Sequence, residues 1–241
     1  MKKSTKLEGE IKIFDFSDAV PAGAGLLGFA VLHRNEKPWQ GYVRLSLKPF
    51  ELVELIEEVN HNAPEDKVFR LLGEAITSTA GGHFALRYAQ PTFILKLAPD
   101  KRRLKCFPQE FERLPRLPDL GGFAAAAALY KALENSTAAT GLYGRGDLLY
   151  LLTRKPSPKG TIWQIWQIDP QRDVVVRSLT LPTTANHVFL APGSRDWAVI
   201  EKGAVKEGGK QAIRSMLLIP SSWIEDPASK ALADGNTVTC R

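Results

Sequence analysis

The runs Leu148–Arg154 (LLYLLTR) and Trp163–Pro170 (WQIWQIDP) are apolar enough for buried strands, and the polar, proline- and glycine-bearing residues between them supply a turn. The same plan recurs: a short apolar strand, a polar turn, an alternating strand and a closing proline. The other copies run from Gly28–Arg34 (GFAVLHR) to Tyr42–Pro49 (YVRLSLKP), from His83–Tyr88 (HFALRY) to Phe93–Pro99 (FILKLAP), and from Trp197–Gly203 (WAVIEKG) to Arg214–Pro220 (RSMLLIP). Pro49 to Pro99 is 50 residues, Pro99 to Pro170 is 71 and Pro170 to Pro220 is 50. A period of this size, with one unit lengthened, indicates small sheets stacked on their neighbours.

The lengthening coincides with Phe123–Asn135 (FAAAAALYKALEN), whose alanines and Leu129, Ala132 and Leu133 predict a helix ending near Asn135. The fold class expected is all-β, a propeller-like array of about four small antiparallel sheets with one inserted helix at about 122–135. The chain is read as a single domain over 1–241, with a polar tail from about 224. Phe50–Val59 (FELVELIEEV) has helical spacing at Leu52, Leu55, Ile56 and Val59, while its place in the unit favours a strand; both readings stay open. Glu10–Phe16 (EIKIFDF) alternates as a strand outside the four copies, and Pro21–Gly28 reads as a glycine-rich loop.

Composition narrows the function classes. The 241 residues are 44% hydrophobic, enough for a substantial core. Cys106 and Cys240 lie far apart, so neither a disulfide framework nor a metal knuckle is expected. No run reaches the roughly 20 apolar residues of a membrane helix, and no hydrophobic segment follows the basic start. The expectation is a soluble, cytoplasmic protein without membrane contact. A formal charge of +6 and a pI near 9.3 favour anionic partners, nucleic acid among them, although the basic residues are dispersed.

Few motifs carry chemistry. Gly23–Gly28 (GAGLLG) fits GxGxxG after a strand, but FAVLHRNEKPW follows where the dinucleotide fingerprint needs a helix, so it reads as a loop. The four histidines show no metal-ligand spacing; neither metal nor cofactor is expected. His83 and His187 stand near the starts of units, either as ligand contacts or as hydrogen-bonded strand residues. His33-Arg34, Arg87-Tyr88, Arg154-Lys155 and Glu201-Lys202 occupy matching positions where the first strand of each copy ends. Arranged radially they form a largely basic ring for an anionic group; otherwise they are solvated strand ends. The ligand-binding candidates are therefore His83, Arg154, His187, Glu201 and Lys202, with no catalytic residue assigned. Trp163 and Trp166, three apart on a strand, face opposite sides and do not form one stacking platform. Arg145-Gly146-Asp147 sits where a tight turn enters a strand.

GRGDLLYLLTR (144–154), WQIWQIDPQRDVVVRSLTLP (163–182) and ANHVFLAPGSRDWAVIEKG (185–203) resemble successive blades of bacterial six-bladed β-propellers of the NHL- and TolB-like kind, over about residues 81–219. The resemblance implies a radial array and carries no catalytic signature. The chain departs from it in showing four copies and in lacking the export signal common among such proteins; Glu10–Phe16 is expected to complete the last blade, as the first strand of a propeller commonly does. The function expected is a non-enzymatic binding or scaffolding module that uses a propeller face or channel for a protein partner or a small anionic ligand. The alternatives are a propeller-type hydrolase or lyase with a channel-mouth site drawn from His83, His187, Arg154 and Glu201, and a nucleic-acid-binding protein.

Overall fold

The computed structural model describes residues 11–59, 74–87, 93–104, 127–128, 131, 136–185, 187–193, 195–202 and 213–225. Four sheets follow one another along the chain, each an antiparallel meander in which sequence neighbours pair. The first contains β1 (Ile11–Ala22), β2 (Gly25–Arg34), β3 (Lys37–Leu47) and β4 (Phe50–Glu58), and the second β5 (Glu74–Thr79), β6 (Gly82–Arg87), β7 (Ile94–Ala98) and β8 (Arg102–Leu104). The third contains β9 (Ala138–Arg145), β10 (Leu148–Ser157), β11 (Gly160–Asp169) and β12 (Val174–Thr180). The fourth has β13 (His187–Pro192), β14 (Asp196–Lys202) and β15 (Ile213–Pro220), followed by a five-residue helix, α1 (Ser221–Glu225).

The copies legible in the sequence are the central hairpins of these sheets: β2–β3, β6–β7, β10–β11 and β14–β15. Their prolines fall at or just after the third strand of each sheet, where the missing N–H costs no ladder bond. The outer strands flank these hairpins.

Strand β10 shows why its sequence is a nearly continuous apolar run. Leu149 and Leu151 point into a core shared with Phe84, Leu86, Ile94 and Leu104 of the second sheet. Tyr150 and Leu152 point the other way, into a core with Leu190, Trp197, Val199 and Ile219 of the fourth. Period-2 alternation on a sheet covered on both faces leaves no polar side. On β11, likewise, Trp166 and Ile168 face the second sheet and Trp163 and Ile165 the fourth, so the two tryptophans do lie on opposite faces. A third core joins the first and second sheets through Leu27, Tyr42, Ala85, Leu95 and Leu97.

Four expectations are settled or corrected. Residues 50–58 form a strand, β4, and not a helix. The stretch read as a loop at 21–28 belongs to a hairpin: β1 runs through Ala22, turns at Gly23-Ala24 with Gly23 at φ +64°, and returns as β2. There Gly25 lies so close to the next strand that a Cβ would stand 1.9 Å from the Leu45 carbonyl oxygen, so the glycines serve pairing and not a phosphate. That two-residue turn also brings β1 straight back onto β2, with Ile11 opposite Arg34 and Ala22 opposite Gly25; β1 is thus the first strand of the first sheet and does not complete the fourth. The polar tail begins later than 224, because Ile224 is fully buried in the core of the third and fourth sheets. Of the helix expected over Phe123–Asn135, most lies outside the described residues; 127, 128 and 131 have helical backbone. Among the described residues no helix is long and apolar enough to cross a membrane.

Helix α1 ties the fourth sheet to the third. The Glu225 carboxylate accepts from Trp197 Nε1 at 2.8 Å and pairs with Arg145 Nε at 2.8 Å. The carbonyl of Ile224 accepts from Arg177, whose Nε donates to Gln167 Oε1 at 3.0 Å, and Gln167 Nε2 donates to the Tyr150 hydroxyl at 3.2 Å. Burial pushes the Tyr143 hydroxyl, edge-on to Trp197, up to about 12, with a hydrogen bond to the backbone of Leu190 acting the other way. Arg145, first residue of the Arg-Gly-Asp turn, is thereby engaged with Glu225 and the Gly193 carbonyl. Replacing Glu225 with Ala leaves the Trp197 N–H without its acceptor and Arg145 without its carboxylate. The expected loss is about 2 kcal/mol of unfolding free energy, read from denaturant titration.

Candidate functional site

His83 is the candidate whose surroundings are best defined. Strands β5 and β6 pair with Ser78 opposite His83, one step from the turn at Ala80-Gly81. Directly opposed residues on antiparallel strands share a face, and Ser78 Oγ lies 2.8 Å from His83 Nδ1. Burial, and secondarily the positive charge of Arg44 on β3 of the first sheet, lower the His83 pKa below its ordinary value of 6.5. The imidazole is therefore neutral at pH 7. With its proton on Nε2, Nδ1 accepts from the Ser78 hydroxyl, the pairing by which a histidine activates a serine. Among the described residues no carboxylate hydrogen-bonds to His83 to orient it.

The other sequence candidates fall elsewhere. His187 begins β13 and lies opposite Lys202, the last residue of β14, so these two and Glu201 share one end of the fourth sheet. The Glu201 carboxylate accepts from the hydroxyls of Thr183 and Ser215. Arg154 stands in the third sheet, opposite Trp163 on one side and Ala138 on the other, and is 8% exposed. It is not at a strand end, because β10 continues through Pro156 to Ser157.

His83 and His187 occupy opposite ends of their sheets. His83 opens a second strand and His187 a first strand, and a meander reverses direction at each turn. Successive sheets also meet through their first strands: β1 lies against β5 and β5 against β9. The Ala80 amide donates to the Gly146 carbonyl at 2.9 Å, and the Gly144 amide to Thr77 Oγ1 at 2.7 Å. These contacts between sheets are made by β1, β5 and β9, and not by the strands that open the sequence copies. Ser78 is on such a strand, and sequence reading passed over it; the signal was its place five residues before His83 across the Ala80-Gly81 turn.

Among the described residues no group of three His, Cys, Asp or Glu could hold a metal ion. No family model matches the chain, and no curated protein matches it.

The His83 environment sets a sign for pH dependence. The folded protein holds its imidazole neutral to lower pH than the unfolded chain does, so below about 6.5 the unfolded state binds more protons. Unfolding free energy should fall as pH drops from 6.5 through the lowered folded pKa, and His83→Asn should flatten that part of the profile in denaturant titrations across this range. An unchanged slope in the variant would remove His83 from the account.

Proposed function

We propose that the chain is a propeller-like, non-enzymatic binding module that docks an extended segment of a protein partner on its fourth sheet. The array reading is supported by four consecutive meanders and by the contact of first strands among the first three sheets. The observation that carries the docking reading is the fourth sheet itself, where Phe189, Met216 and Leu218 are 48%, 61% and 56% exposed.

These residues share a face. Phe189 lies opposite Ile200 and Ile200 opposite Met216, while Ala191, Ala198 and Leu218 form the next row. The opposite face carries Leu190, Val199 and Ile219 into the core with the third sheet. Each of the other sheets has a fourth strand, whereas the chain leaves β15 through α1 toward the third sheet. Among the described residues no strand pairs with the outer edge of β15. An edge with free backbone groups beside apolar side chains is a template for strand addition. The equivalent strand of the third sheet, β12 (VVVRSLT), shows what such a position takes: Val175 and Leu179 are buried there. The occupant is accordingly an extended, β-branched segment running antiparallel to β15.

Random peptides selected on the protein and counter-selected on a Met216→Lys/Leu218→Lys double variant should return such sequences, and their binding should slow exchange of the β15 amides. Peptides that bind both forms equally, or leave those amides unaffected, would refute the docking reading.

A second reading, a hydrolase, draws on Ser78 Oγ at 2.8 Å from His83 Nδ1. It expects turnover of an activated acyl ester such as p-nitrophenyl acetate that Ser78→Ala and His83→Asn each abolish, by at least about a hundredfold for loss of the base. Equal background rates in all three proteins would dispose of it.

A further inference from the structure

The two central rows on the outer face of the fourth sheet, Phe189, Ile200 and Met216 and then Ala191, Ala198 and Leu218, contain no charged residue. Phe189, Met216 and Leu218 are exposed, and a contiguous apolar face of this kind marks an interaction surface. The first sheet offers no matching surface. Its face away from the second sheet carries Ala30, Leu32, Val43 and Leu45, all fully buried. A second copy therefore cannot stack its fourth sheet there, as a head-to-tail chain of copies would require.

The fourth-sheet face is, however, complementary to itself. On β13 and β14 one row holds Phe189 and Ile200 and the next holds Ala191 and Ala198. Two such faces related by a two-fold axis that crosses the strands level with Val199 set each bulky row on the small row of the other copy. Phe189 then meets Ala191, Ile200 meets Ala198, and on β15 Met216 meets Leu218. An axis along the strands would instead set Ile200 on Ile200 and Ala198 on Ala198, crowding one row and leaving a gap in the other. Charge selects the same axis. Strand β14 begins at Asp196 and ends at Lys202, two residues beyond the rows on either side. The crossing axis brings the Asp196 end of each β14 to the Lys202 end of the other, whereas the lengthwise axis brings like ends together. We infer that the chain forms a two-fold dimer through the outer faces of its fourth sheets, packed sheet on sheet about the crossing axis. The dimer does not rest on strand addition at the β15 edge, which face-to-face packing leaves open.

Sedimentation equilibrium of the full chain should give twice the 26.6 kDa of one chain. Phe189→Lys should give the single mass with an unchanged far-ultraviolet circular dichroism spectrum. Asp196→Lys should raise the dissociation constant of the dimer about tenfold over its two symmetry-related pairs of ends, and the exchange Asp196→Lys/Lys202→Asp should restore it. A wild-type protein that stays monomeric from micromolar to submillimolar concentration would overturn the inference and leave the face to a different protein. A dimer that survives Phe189→Lys would place the contact elsewhere, and one that the charge exchange does not restore would overturn the crossing arrangement. Peptide binding at the β15 edge of the monomeric Phe189→Lys protein judges the docking reading separately.

Discussion

Burial of the third sheet on both faces is the constraint on which the rest of the structure depends. The strands of each meander pair only with one another, so one sheet is joined to the next through side chains and a few edge contacts. The third sheet meets that requirement twice, with Leu149, Leu151 and Trp166 against the second sheet and Tyr150, Leu152 and Trp163 against the fourth. Fully burying a side chain of this size contributes about 1.5–3 kcal/mol, so the two faces of β10 and β11 hold the neighbouring sheets in place. Both indole N–H groups carried inside are met: Trp163 Nε1 donates to the Ala185 carbonyl at 2.6 Å and Trp166 Nε1 to Thr153 Oγ1 at 2.9 Å.

That burial made the central hairpins legible in the sequence, since LLYLLTR and WQIWQIDP have no polar face to disguise them. The flanking strands were harder. In β4 the helical spacing of Leu52 and Leu55 has a specific cause: Leu52 pairs with Leu45 and Leu55 with Val43, because a register shift absorbs Val53. A bulge thus puts residues three apart on one face of a strand, and both pack against Leu32 and Leu45. Gly23–Gly28 misled in a related way. Its glycines answer to a tight turn and to close approach of β3, needs that a lone sequence cannot tell from those of a loop.

The site residues were less legible because they are made by stacking. Ser78 gains meaning from a cross-strand partner, and Glu225 from two residues 28 and 80 positions earlier. None of these leaves a local pattern. The matching ends of the copies, Arg154 and Glu201 among them, did leave one; the strands that carry them are second strands, whereas the first three sheets also meet through their first strands.

The strict pairing of sequence neighbours within each sheet has a further consequence, for the order of assembly. Every ladder closes a short loop, so contact order within a sheet is low and each meander can form before its neighbour is present. Sheet-to-sheet faces then add one at a time, as in a one-dimensional nearest-neighbour system. Opening the fourth sheet breaks a single such face, whereas opening the third breaks two. The cooperative unit is the sheet, and the apolar surface of the fourth belongs to a unit held by one such face.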